Sequence, residues 1–543
     1  MQVKRQDTKQ FLWEIVKGKK YQMLLLFFLQ LFLGISGVLV ALMLRKVIDT
    51  AVMENVKDFW WTAGLFGILT AAQLLARILL RYLEEATKAD LEVYLKERLL
   101  KSLLNCQYAA GASVHSGEWL TRLTSDTVIV ADGVVTIVPG AVGMLLKLLS
   151  ALVALLLLLP WMGGWLMLLG VVVLLLTAFL RKLLKELHKF QQEADGAVRI
   201  FLQEQMESRM LLKVFGAEDY SQEVAKKLMK KHQKQRMRRT KWSIFCSGGF
   251  SAILRVVYLA GAISCGYGMI QGSISYGTLT AVLQLVGQLQ TPLTGLTGYV
   301  PKYFALLASA ERILEPEEFP VEEETVYRME FTKLVLNHVG FKYPGEKEYI
   351  LKDISAEIKR GEMVAFTGYS GCGKSTLMKL ILGLYDITEG ELYFSPEEGV
   401  GNLKGFCSYV PQGKYLMNGT IREIITFGKT NDPNSEKKLS WAVQAACADF
   451  VWELEKGIDT QLGEQGAGLS EGQLQRLSIA RALYADRPVI ILDEATSALD
   501  EETEWNILNN LKNIENKTFL VVTHRPAALK LCDRILDLFG LVN

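Results

Sequence analysis

A glycine-rich segment, GYSGCGKST, runs from Gly368 to Thr376 and has the residue types needed to hold a chain of phosphates. It follows an apolar, strand-like stretch at Met363–Thr367 and precedes a stretch with helical periodicity at Leu377–Leu384. Glycines let backbone N–H groups converge on phosphate oxygens, and the following helix presents its positive N-terminal end. The segment therefore predicts a phosphate-binding loop between a strand and a helix.

Two side chains of this loop add a positive charge and a metal ligand. Lys374 would reach the β- and γ-phosphates, and the hydroxyl of Ser375 would ligate Mg²⁺. A glycine loop can also be a structural turn, but a simple turn does not need the flanking strand and helix. The predicted nucleotide contacts in the loop are Gly368, Ser370, Gly371, Cys372, Gly373, Lys374, Ser375 and Thr376.

A second candidate group follows another strand-like run, Val489–Leu492, which ends directly before Asp493 and Glu494. Two adjacent carboxylates at a nucleotide site can divide the chemistry. Asp493 can hold Mg²⁺ through water, and Glu494 can orient and polarise the attacking water. They could also be ordinary surface acids, but the phosphate-binding loop in the same region favours the catalytic interpretation.

Length and composition place this chemistry in a larger protein. The chain has 543 residues, of which 50% are hydrophobic, so at least two domains are expected. Its 7 cysteines show no CxxC spacing, which argues against a zinc site or a disulfide framework and favours a reducing compartment. The basic N-terminus lacks a small-residue cleavage site, so it is not predicted to be a signal peptide.

The first part of the chain is predicted to cross a membrane. The N-terminus and the segments around 81–132 and 181–241 are rich in Lys and Arg, whereas the turns 160–165 and 271–277 have none. By the positive-inside rule, this distribution predicts cytosolic termini and two long cytosolic loops. The loops are predicted to be helical extensions of the spans. Six apolar runs of spanning length lie near 21–44, 59–80, 134–159, 164–180, 244–270 and 276–300.

These features predict an α-helical transmembrane bundle of six long spans with cytosolic extensions, followed by an α/β P-loop NTPase domain. The acidic, proline-marked segment EPEEFPVEEE at Glu315–Glu324 is interpreted as the linker. The expected domains are a transmembrane domain at 1–314, a linker at 315–330 and a nucleotide-binding domain at 331–543.

Several further motifs together resemble the ATP-binding-cassette (ABC) proteins. GAGLSEGQLQRLSIARAL resembles their signature segment and precedes the Asp493–Glu494 strand. SYVPQ, which ends at Gln412, resembles the Q-loop, and SALD, which ends at Asp500, resembles the D-loop. VVTHR contains His524 in the place of the switch histidine, and FKYP contains Tyr343 where the family stacks a ring on adenine.

The resemblance implies an ATPase with ATP and Mg²⁺ as cofactors, and it assigns roles to these residues. Catalytic roles fall to Glu494, His524, Gln412 and Lys374. The implied Mg²⁺ ligands are Ser375, Gln412 and Asp493. The further implied nucleotide contacts are Tyr343, Gln412, Ser470, Gly472, Gln473 and Asp500.

The membrane half resembles ABC exporters more loosely. HSGEWLTRLTSD at His115–Asp126 and ESRMLLKVFGAEDY at Glu207–Tyr220 resemble their intracellular loops, and LQTPLTGL followed by ASAERIL resembles the end of their sixth span. The resemblance implies a half-transporter that dimerises, because each ATP is held by the loop of one subunit and the signature of the other. The segments near His115–Gly117 and Met210–Gly216 are expected to transmit closure of the cassettes.

This chain departs from the family pattern in two places. The usual LSGGQ reads LSEGQ here, with Glu471 at its third position, while the phosphate-contacting Ser470 and Gly472 are retained. We therefore interpret Glu471 as a tolerated variant. The sequence also stops soon after His524, which leaves open either a less stable or simply a compact nucleotide-binding domain.

The cargo is not specified by these motifs. Lys147 and Arg255 lie in predicted spans, and the surrounding stretches 133–185 and 242–310 contain no Asp or Glu. Both cations can snorkel to an interface, or they can line a positive cavity for an anionic or phosphate-bearing cargo. The basic run 226–241 is interpreted as attracted to anionic lipid headgroups instead of nucleic acid.

Polar residues in the sixth span have two interpretations. Gln284, Gln288 and Thr291 can hydrogen-bond a neighbouring helix, or they can line the transport path.

The resulting hypothesis is an ATP-driven exporter in a bacterial-type plasma membrane, with multiple spans and a cytosolic nucleotide-binding domain. Lipid, peptide and drug-like cargoes all remain open, as does the choice between homodimer and heterodimer. The alternatives are an ATP-gated channel or regulator and a regulatory subunit of a heterodimeric complex. No nucleic-acid partner is expected.

Overall fold

The computed structural model describes residues 5–114, 116–160, 164, 186–187, 190–322, 330–369, 371–395, 403, 405–413, 417–428, 434–463 and 468–538. The chain divides into two compact units. The first comprises 1–104 and 114–318, and the second comprises 105–113 and 319–543. The division after Glu318 falls within the predicted linker, but the assignment of 105–113 to the second unit does not follow from the linear order of the domains.

The first half of the chain is helical. A π-helical turn at Arg122–Asp126 joins α5 to α6, and residues 190–207 are also helical. The helices are α1 Arg5–Gly18, α2 Lys20–Val52, α3 Val56–Asn105, α4 Tyr108–Ala112, α5 Ser116–Thr121, α6 Thr127–Leu158, α7 Arg209–Phe215, α8 Glu218–Ile270 and α9 Tyr276–Leu314.

Three stretches among the described residues are long and apolar enough to cross a membrane. They are Lys20–Val52, Val56–Asn105 and Ser116–Leu158, and Arg255–Ile270 is a shorter apolar helix. The predicted span 164–180 lies outside the described residues except at position 164. The fifth and sixth predicted spans fall within α8 and α9.

The long helices continue beyond membrane thickness, as the sequence predicts. Helix α3 has 50 residues. At about 1.5 Å per residue it is roughly 75 Å long, whereas a bilayer's hydrocarbon core is about 30 Å thick. Part of this helix must therefore lie outside the membrane.

Polar contacts fix the packing of α9 against α2. Gln288 Nε2 donates to the carbonyl oxygen of Gly37 at 2.9 Å, so Gln288 makes the helix–helix contact that was one of its two interpretations. The Oε1 atoms of Gln284 and Gln288 are buried without a hydrogen-bond partner among the described residues. The side chain of Thr291 is outside what the structure describes.

The segment His115–Asp126, which contains α5, is joined to the end of α9 by charged side chains, two of which are buried. Asp126 accepts hydrogen bonds from Arg312 Nε at 2.7 Å and from Ser309 Oγ at 2.9 Å. Arg122 Nη2 lies 2.6 Å from Glu315 Oε2, and the Arg122 side chain is only 3% exposed. The segment that resembles the first exporter loop is therefore joined by ion pairs to the segment that resembles the end of the sixth span.

The second unit contains a five-stranded parallel sheet in the order β10-β3-β9-β8-β5, a three-stranded antiparallel sheet β2-β1-β4 and a small pair β6-β7. The residues of β8 and β9 are buried throughout, as expected of parallel strands covered on both faces. The strands are β1 Lys333–Phe341, β2 Leu351–Lys359, β3 Met363–Thr367, β4 Glu389–Ser395, β5 Cys407–Val410, β6 Gly419–Thr420, β7 Gln461–Leu462, β8 Val489–Asp493, β9 Thr518–Val522 and β10 Arg534–Asp537.

Six α-helices complete the described part of this unit. They are α10 Lys374–Ile381, α11 Ile421–Thr426, α12 Ser435–Ala445, α13 Glu471–Tyr484, α14 Glu501–Lys512 and α15 Pro526–Leu531.

The segment 105–113, which includes α4, makes its contacts within the second unit. The amide of Gln107 donates to Pro320 O at 2.9 Å, and the amide of Glu322 donates to Asn105 O at 2.7 Å. The ring of Tyr108 packs edge-on against that of Tyr385, with centroids 5.7 Å apart. This segment lies just before His115, which is outside the described residues, so the predicted role of His115–Gly117 in transmitting closure stays a prediction.

We predict that Gly277→Ala destabilises the first unit. Asp49 accepts hydrogen bonds from the Gly277 amide at 2.9 Å and from Ser275 Oγ at 3.0 Å, which joins the end of α2 to the start of α9. A Cβ at Gly277 would collide with the carbonyl oxygen of Arg45. Such overpacking typically costs about 1–3 kcal/mol. The measurement is the melting temperature of the detergent-solubilised protein.

Gly287→Ala is the matched control on the same helix, because an added Cβ there meets nothing within 4 Å. Equal melting temperatures for the two variants would contradict the predicted contact.

Candidate functional site

The glycine loop lies between β3 and α10, as the sequence predicts. Gly368, Gly371 and Gly373 have φ angles of +141°, +88° and +97°. Residues with a Cβ rarely adopt these angles, so glycine is required for the path of the loop. A Cβ on Gly373 would also lie 2.6 Å from Leu351 Cδ2. Ser370 is outside the described residues.

Lys374 is buried at the start of α10, with 8% of its surface exposed. Its Nζ donates to the carbonyl oxygens of Gly368 at 2.7 Å and Tyr369 at 3.1 Å. Its charge therefore lies over the same loop whose backbone N–H groups can bind phosphate. Ser375 and Thr376 follow it in the first turn of α10.

The two carboxylates occupy different environments at the end of β8. Asp493 is 2% exposed, and its Oδ2 accepts a hydrogen bond from Tyr409 Oη at 3.0 Å. Glu494 has a φ of +49°, which is uncommon for a residue with a side chain. Such backbone conformations cluster at functional sites, where surrounding contacts hold them.

Two contacts hold Glu494. Its backbone N–H donates to Val522 O in β9 at 3.0 Å. Its Oε2 accepts a hydrogen bond from Gln412 Nε2 at 2.6 Å. The structure thus brings together Gln412 and Glu494, two of the predicted catalytic residues, from segments that follow β5 and β8.

The topology of the parallel sheet assembles the rest of this group. Strand β9 lies between β3 and β8 and is parallel to both. The carboxyl ends of parallel strands meet at one edge of a sheet, which is where such sheets bind ligands. His524, which is exposed and follows β9, therefore emerges between the glycine loop and the carboxylates.

The signature residues lie at the N-terminus of a different helix, α13. Ser470 caps this helix: its Oγ accepts from the Gln473 amide at 3.2 Å, and Gln473 Oε1 accepts from the Ser470 amide at 2.8 Å. A Cβ at Gly472 would lie 3.1 Å from Ala498 O, so the helix start packs closely on the turn before Asp500. Glu471 is exposed in the first turn.

Asp500 caps α14. Its Oδ2 accepts a hydrogen bond from the Thr503 amide at 2.9 Å, and this bond lowers the pKa of Asp500 below its usual value. Asp500 therefore stays ionised, as expected of a carboxylate at a helix N-terminus.

Tyr343 is anchored beside the glycine loop. Its Oη lies 3.2 Å from Thr376 Oγ1. Its ring packs edge-on against Phe341 and Tyr385, with centroids 5.1 Å and 5.3 Å apart. Tyr385 also contacts Tyr108 of α4, so a chain of three tyrosine rings runs from the predicted adenine position to the segment 105–113.

Sequence reasoning missed several residues of this site. Tyr409, Tyr385 and Arg525 contact predicted site residues or their immediate neighbours. The aromatic residues lie in or beside strands where such residues are common, so composition gives no signal for them. For Arg525, its position directly after His524 is a local indication that it lies near the site.

Comparisons with known proteins agree with this geometry. Residues 23–293 match the family model described as ABC transporter transmembrane region, and residues 351–497 match the model described as ABC transporter. An ATP-dependent lipid A-core flippase of Mannheimia succiniciproducens is 31% identical over 464 residues, 81% of this chain and 77% of the relative. A putative multidrug export ATP-binding/permease protein of Bacillus subtilis is 27% identical over 515 residues, 91% of this chain and 88% of the relative.

A solved structure shows the same fold. It is that of a bacterial Atm1-family ABC exporter with ATP bound, and it matches with a TM-score of 0.78 and 22% identity over 95% of this chain and 93% of the other. Together with the family models and the relatives, it confirms the predicted fold class, and the family models and relatives confirm the predicted family, ATPase activity and multi-pass membrane location. The chain belongs to the ABC transporter family, as a transport ATPase of the plasma membrane with a helical membrane domain and a cytosolic ATP-binding domain.

Proposed function

We propose that the chain is one half of a dimeric exporter in which two ATP molecules are hydrolysed between the subunits to move an anionic, lipid-like cargo outward. The Gln412–Glu494 hydrogen bond carries the hydrolytic part of this proposal. It places a carboxylate, held in an uncommon backbone conformation, at the sheet edge where the glycine loop begins.

The residues at this edge fit an ATP-bound Mg²⁺ ion. Asp493 is a buried carboxylate, α10 contacts β8, and α10 carries the Ser375 hydroxyl. Among the described residues no group of three His, Cys, Asp or Glu side chains could hold a metal alone. Mg²⁺ commonly takes one or two carboxylates together with substrate phosphates, and when bound here it would neutralise charge on those phosphates.

The other residues act on the phosphates and the attacking water. Lys374 binds the phosphate chain from the start of α10. Glu494 accepts hydrogen bonds from the water and orients it, while Gln412 fixes the Glu494 carboxylate. His524, from the same edge, contacts the terminal phosphate, and Tyr343 supports the adenine ring.

The second subunit completes each site. Ser470 and Gly472 sit at the N-terminus of α13 and present that helix end to ATP held by the partner. Helix α7 supports a dimer, because it exposes four apolar side chains in a predicted cytosolic loop. These are Met210, Leu211, Val214 and Phe215. A second copy that covers them would remove this surface from water.

The proposed cargo class rests on charge in the first unit. Lys147 is half-buried in α6. No carboxylate among the described residues pairs with Lys147. Charged side chains at membrane depth usually face a partner or a water-filled cavity, so this cation in the span favours an anionic cargo. Arg255 is exposed in α8, and its part in the path remains a prediction.

The first unit also has an apolar groove. It has a volume of about 620 Å³ and is lined by α2 and α3, with Ala76 and Ile78 flanking Arg77 in sequence. A groove of hydrocarbon side chains, together with a cation that lacks a carboxylate partner in the described part of the chain, matches an anionic lipid with acyl chains. Two relatives are named ATP-dependent lipid A-core flippases, which supports a lipid cargo for this chain.

We predict that Glu494→Gln abolishes most ATP turnover. The amide cannot accept a proton or polarise water as a carboxylate does, and loss of such a group typically lowers the rate by about 10²–10⁴-fold. The measurement is phosphate release by the purified dimer. Glu502→Gln, an exposed acid in the first turn of α14, is the control. Unchanged turnover in Glu494→Gln would rule out the assigned role.

We predict that Glu471→Gly lowers the ATP concentration needed for half-maximal turnover by about two- to fivefold. An acid in the first turn opposes binding of an anion at that helix end, and helix-end charges are worth about 0.3–1 kcal/mol. ATPase rates measured against ATP concentration test this effect. Glu436→Gly in the first turn of α12 is the matched control. The same half-maximal ATP concentration in Glu471→Gly and in the unmodified protein would contradict the prediction.

We predict that Lys147→Gln weakens stimulation of the ATPase by anionic lipids. Its half-maximal stimulating concentration of phosphatidylglycerol should rise about tenfold in nanodiscs that otherwise contain phosphatidylcholine, while basal turnover stays the same. A hydrogen bond to a charged group is typically worth about 1.5–3 kcal/mol. Lys147→Arg should respond as the unmodified protein does.

Lys101→Gln, on the cytosolic part of α3, controls for general loss of positive charge. If Lys147→Gln and the unmodified protein respond alike to phosphatidylglycerol, the proposed cargo site is wrong.

A further inference from the structure

The Tyr343 side chain is held by three contacts. Its Oη lies 3.2 Å from Oγ1 of Thr376, which is buried in the first turn of α10. Its ring packs edge-on against Phe341, with an interplanar angle of 80°, and against Tyr385, with an angle of 87°. Edge-on packing is a favourable geometry for aromatic pairs. Together the three contacts fix both the position and the tilt of the Tyr343 ring.

The two supporting rings are themselves anchored in different ways. Phe341 ends β1, pairs with Leu351 of β2 and is 2% exposed, so the antiparallel sheet holds it. Tyr385 lies just beyond the end of α10, where the amide of Leu384 donates to Lys379 O at 3.0 Å. Tyr343 therefore contacts both the first turn of α10 and the segment that follows its last turn.

Tyr385 is also in contact with the segment 105–113. Its ring packs edge-on against that of Tyr108 in α4, with an interplanar angle of 84°. Tyr108 is 45% exposed, so its ring contributes a contact at the surface of the second unit. The same Tyr385 ring thus contacts Tyr108 and Tyr343.

We propose that Tyr385, supported by Tyr108, sets the base selectivity of the ATP site by holding the Tyr343 ring in position to stack on adenine. This inference rests on the proposed function, in which Tyr343 supports the adenine ring. Tyr385 and Tyr108 are positioning residues, because they act through Tyr343. A ring that is already fixed loses little conformational entropy when the nucleotide binds, so the preorganised contact strengthens ATP binding.

The effect of these rings falls on the base of the nucleotide. Stacking on an aromatic side chain uses the face of the base, and adenine has two fused rings where cytosine has one. Inorganic triphosphate has no base, and it binds through the glycine loop and Lys374. Loss of the Tyr385 ring therefore weakens ATP most, CTP less and inorganic triphosphate least.

The experiment compares the purified full-length protein with Tyr385→Leu, Tyr108→Leu and the double variant. Phosphate release measured against ATP and CTP concentration gives kcat and the half-saturating concentration for each nucleotide. Inorganic triphosphate, added as a competitor of ATP, gives an inhibition constant that reports on the glycine loop alone. Melting temperatures are measured for every variant.

We expect Tyr385→Leu to raise the half-saturating ATP concentration about fivefold, because one aromatic pair changes binding by roughly two- to tenfold. The half-saturating CTP concentration, kcat and the inhibition constant of triphosphate should change less than about twofold, since they depend little on stacking. Tyr108→Leu should raise the half-saturating ATP concentration about twofold. It should add little in the double variant, because it acts through Tyr385.

Two further variants serve as controls. Tyr385→Phe keeps the ring and should match the unmodified protein. Trp441→Leu removes an aromatic side chain of similar exposure to Tyr108, 40%, from α12 and should leave the ratio of the ATP and CTP concentrations unchanged. If Tyr385→Leu does not fold, the half-exposed Tyr108 allows Tyr108→Leu to decide the question.

Four results would overturn the proposal. ATP and inorganic triphosphate weakened alike would mean that Tyr385 supports the whole loop and not the base contact. An unchanged half-saturating ATP concentration in either single variant would remove the link to Tyr343. Fully additive effects in the double variant would mean that Tyr108 acts separately. Tyr385→Phe with the same loss as Tyr385→Leu would assign the effect to the hydroxyl and not the ring.

Tyr343→Leu, assayed in parallel, separates this inference from the proposed function. If it leaves the half-saturating ATP concentration unchanged, the adenine contact of the proposed function has failed. If it raises that concentration while Tyr385→Leu does not, the adenine contact stands and the positioning role of Tyr385 is wrong.

Discussion

The parallel pairing of β3, β9 and β8 is the constraint on which the ATP-binding unit depends. Strand β9 pairs on both sides, so a shift in its register would break two ladders of hydrogen bonds and move buried apolar side chains. Because the three strands run in the same direction, the segments that follow them leave at one edge. The glycine loop, the carboxylate pair and the switch histidine are therefore held near one another by the sheet itself.

The segment from Glu494 to Asp500 joins the end of β8 to the start of α14. At its start, Glu494 is held in a left-handed conformation by the carbonyl of Val522 and the amide of Gln412. At its end, Asp500 caps α14. Between them, Thr496 and Leu499 are buried, and Gln475 in α13 and Arg525 after β9 hold the turn.

In the membrane unit, different forces select the arrangement. Lipid is as apolar as the helices, so burial of hydrocarbon does not by itself determine which helices pack together. Which helices pack together is determined instead by close approach at small residues and by buried polar contacts. Ser150 Oγ donates to Gly34 O at 3.4 Å, Gln288 donates to Gly37 O at 2.9 Å, and Asp49 binds the first turn of α9. These contacts join α2 to α6 and to α9.

The sequence by itself determined the elements and most of the chemistry, because these depend on neighbouring residues. Consecutive backbone N–H groups can converge on phosphate only through glycines such as Gly373, and a spanning helix needs a continuous apolar run, so both leave local patterns. Only the tertiary structure decided which distant residues meet. The pairing of Arg525 with Glu504, and the placement of 105–113 with the ATP-binding unit, depend on how helices and loops pack. Ordinary polar residues take part in such contacts, and their local sequence does not distinguish them from surface residues.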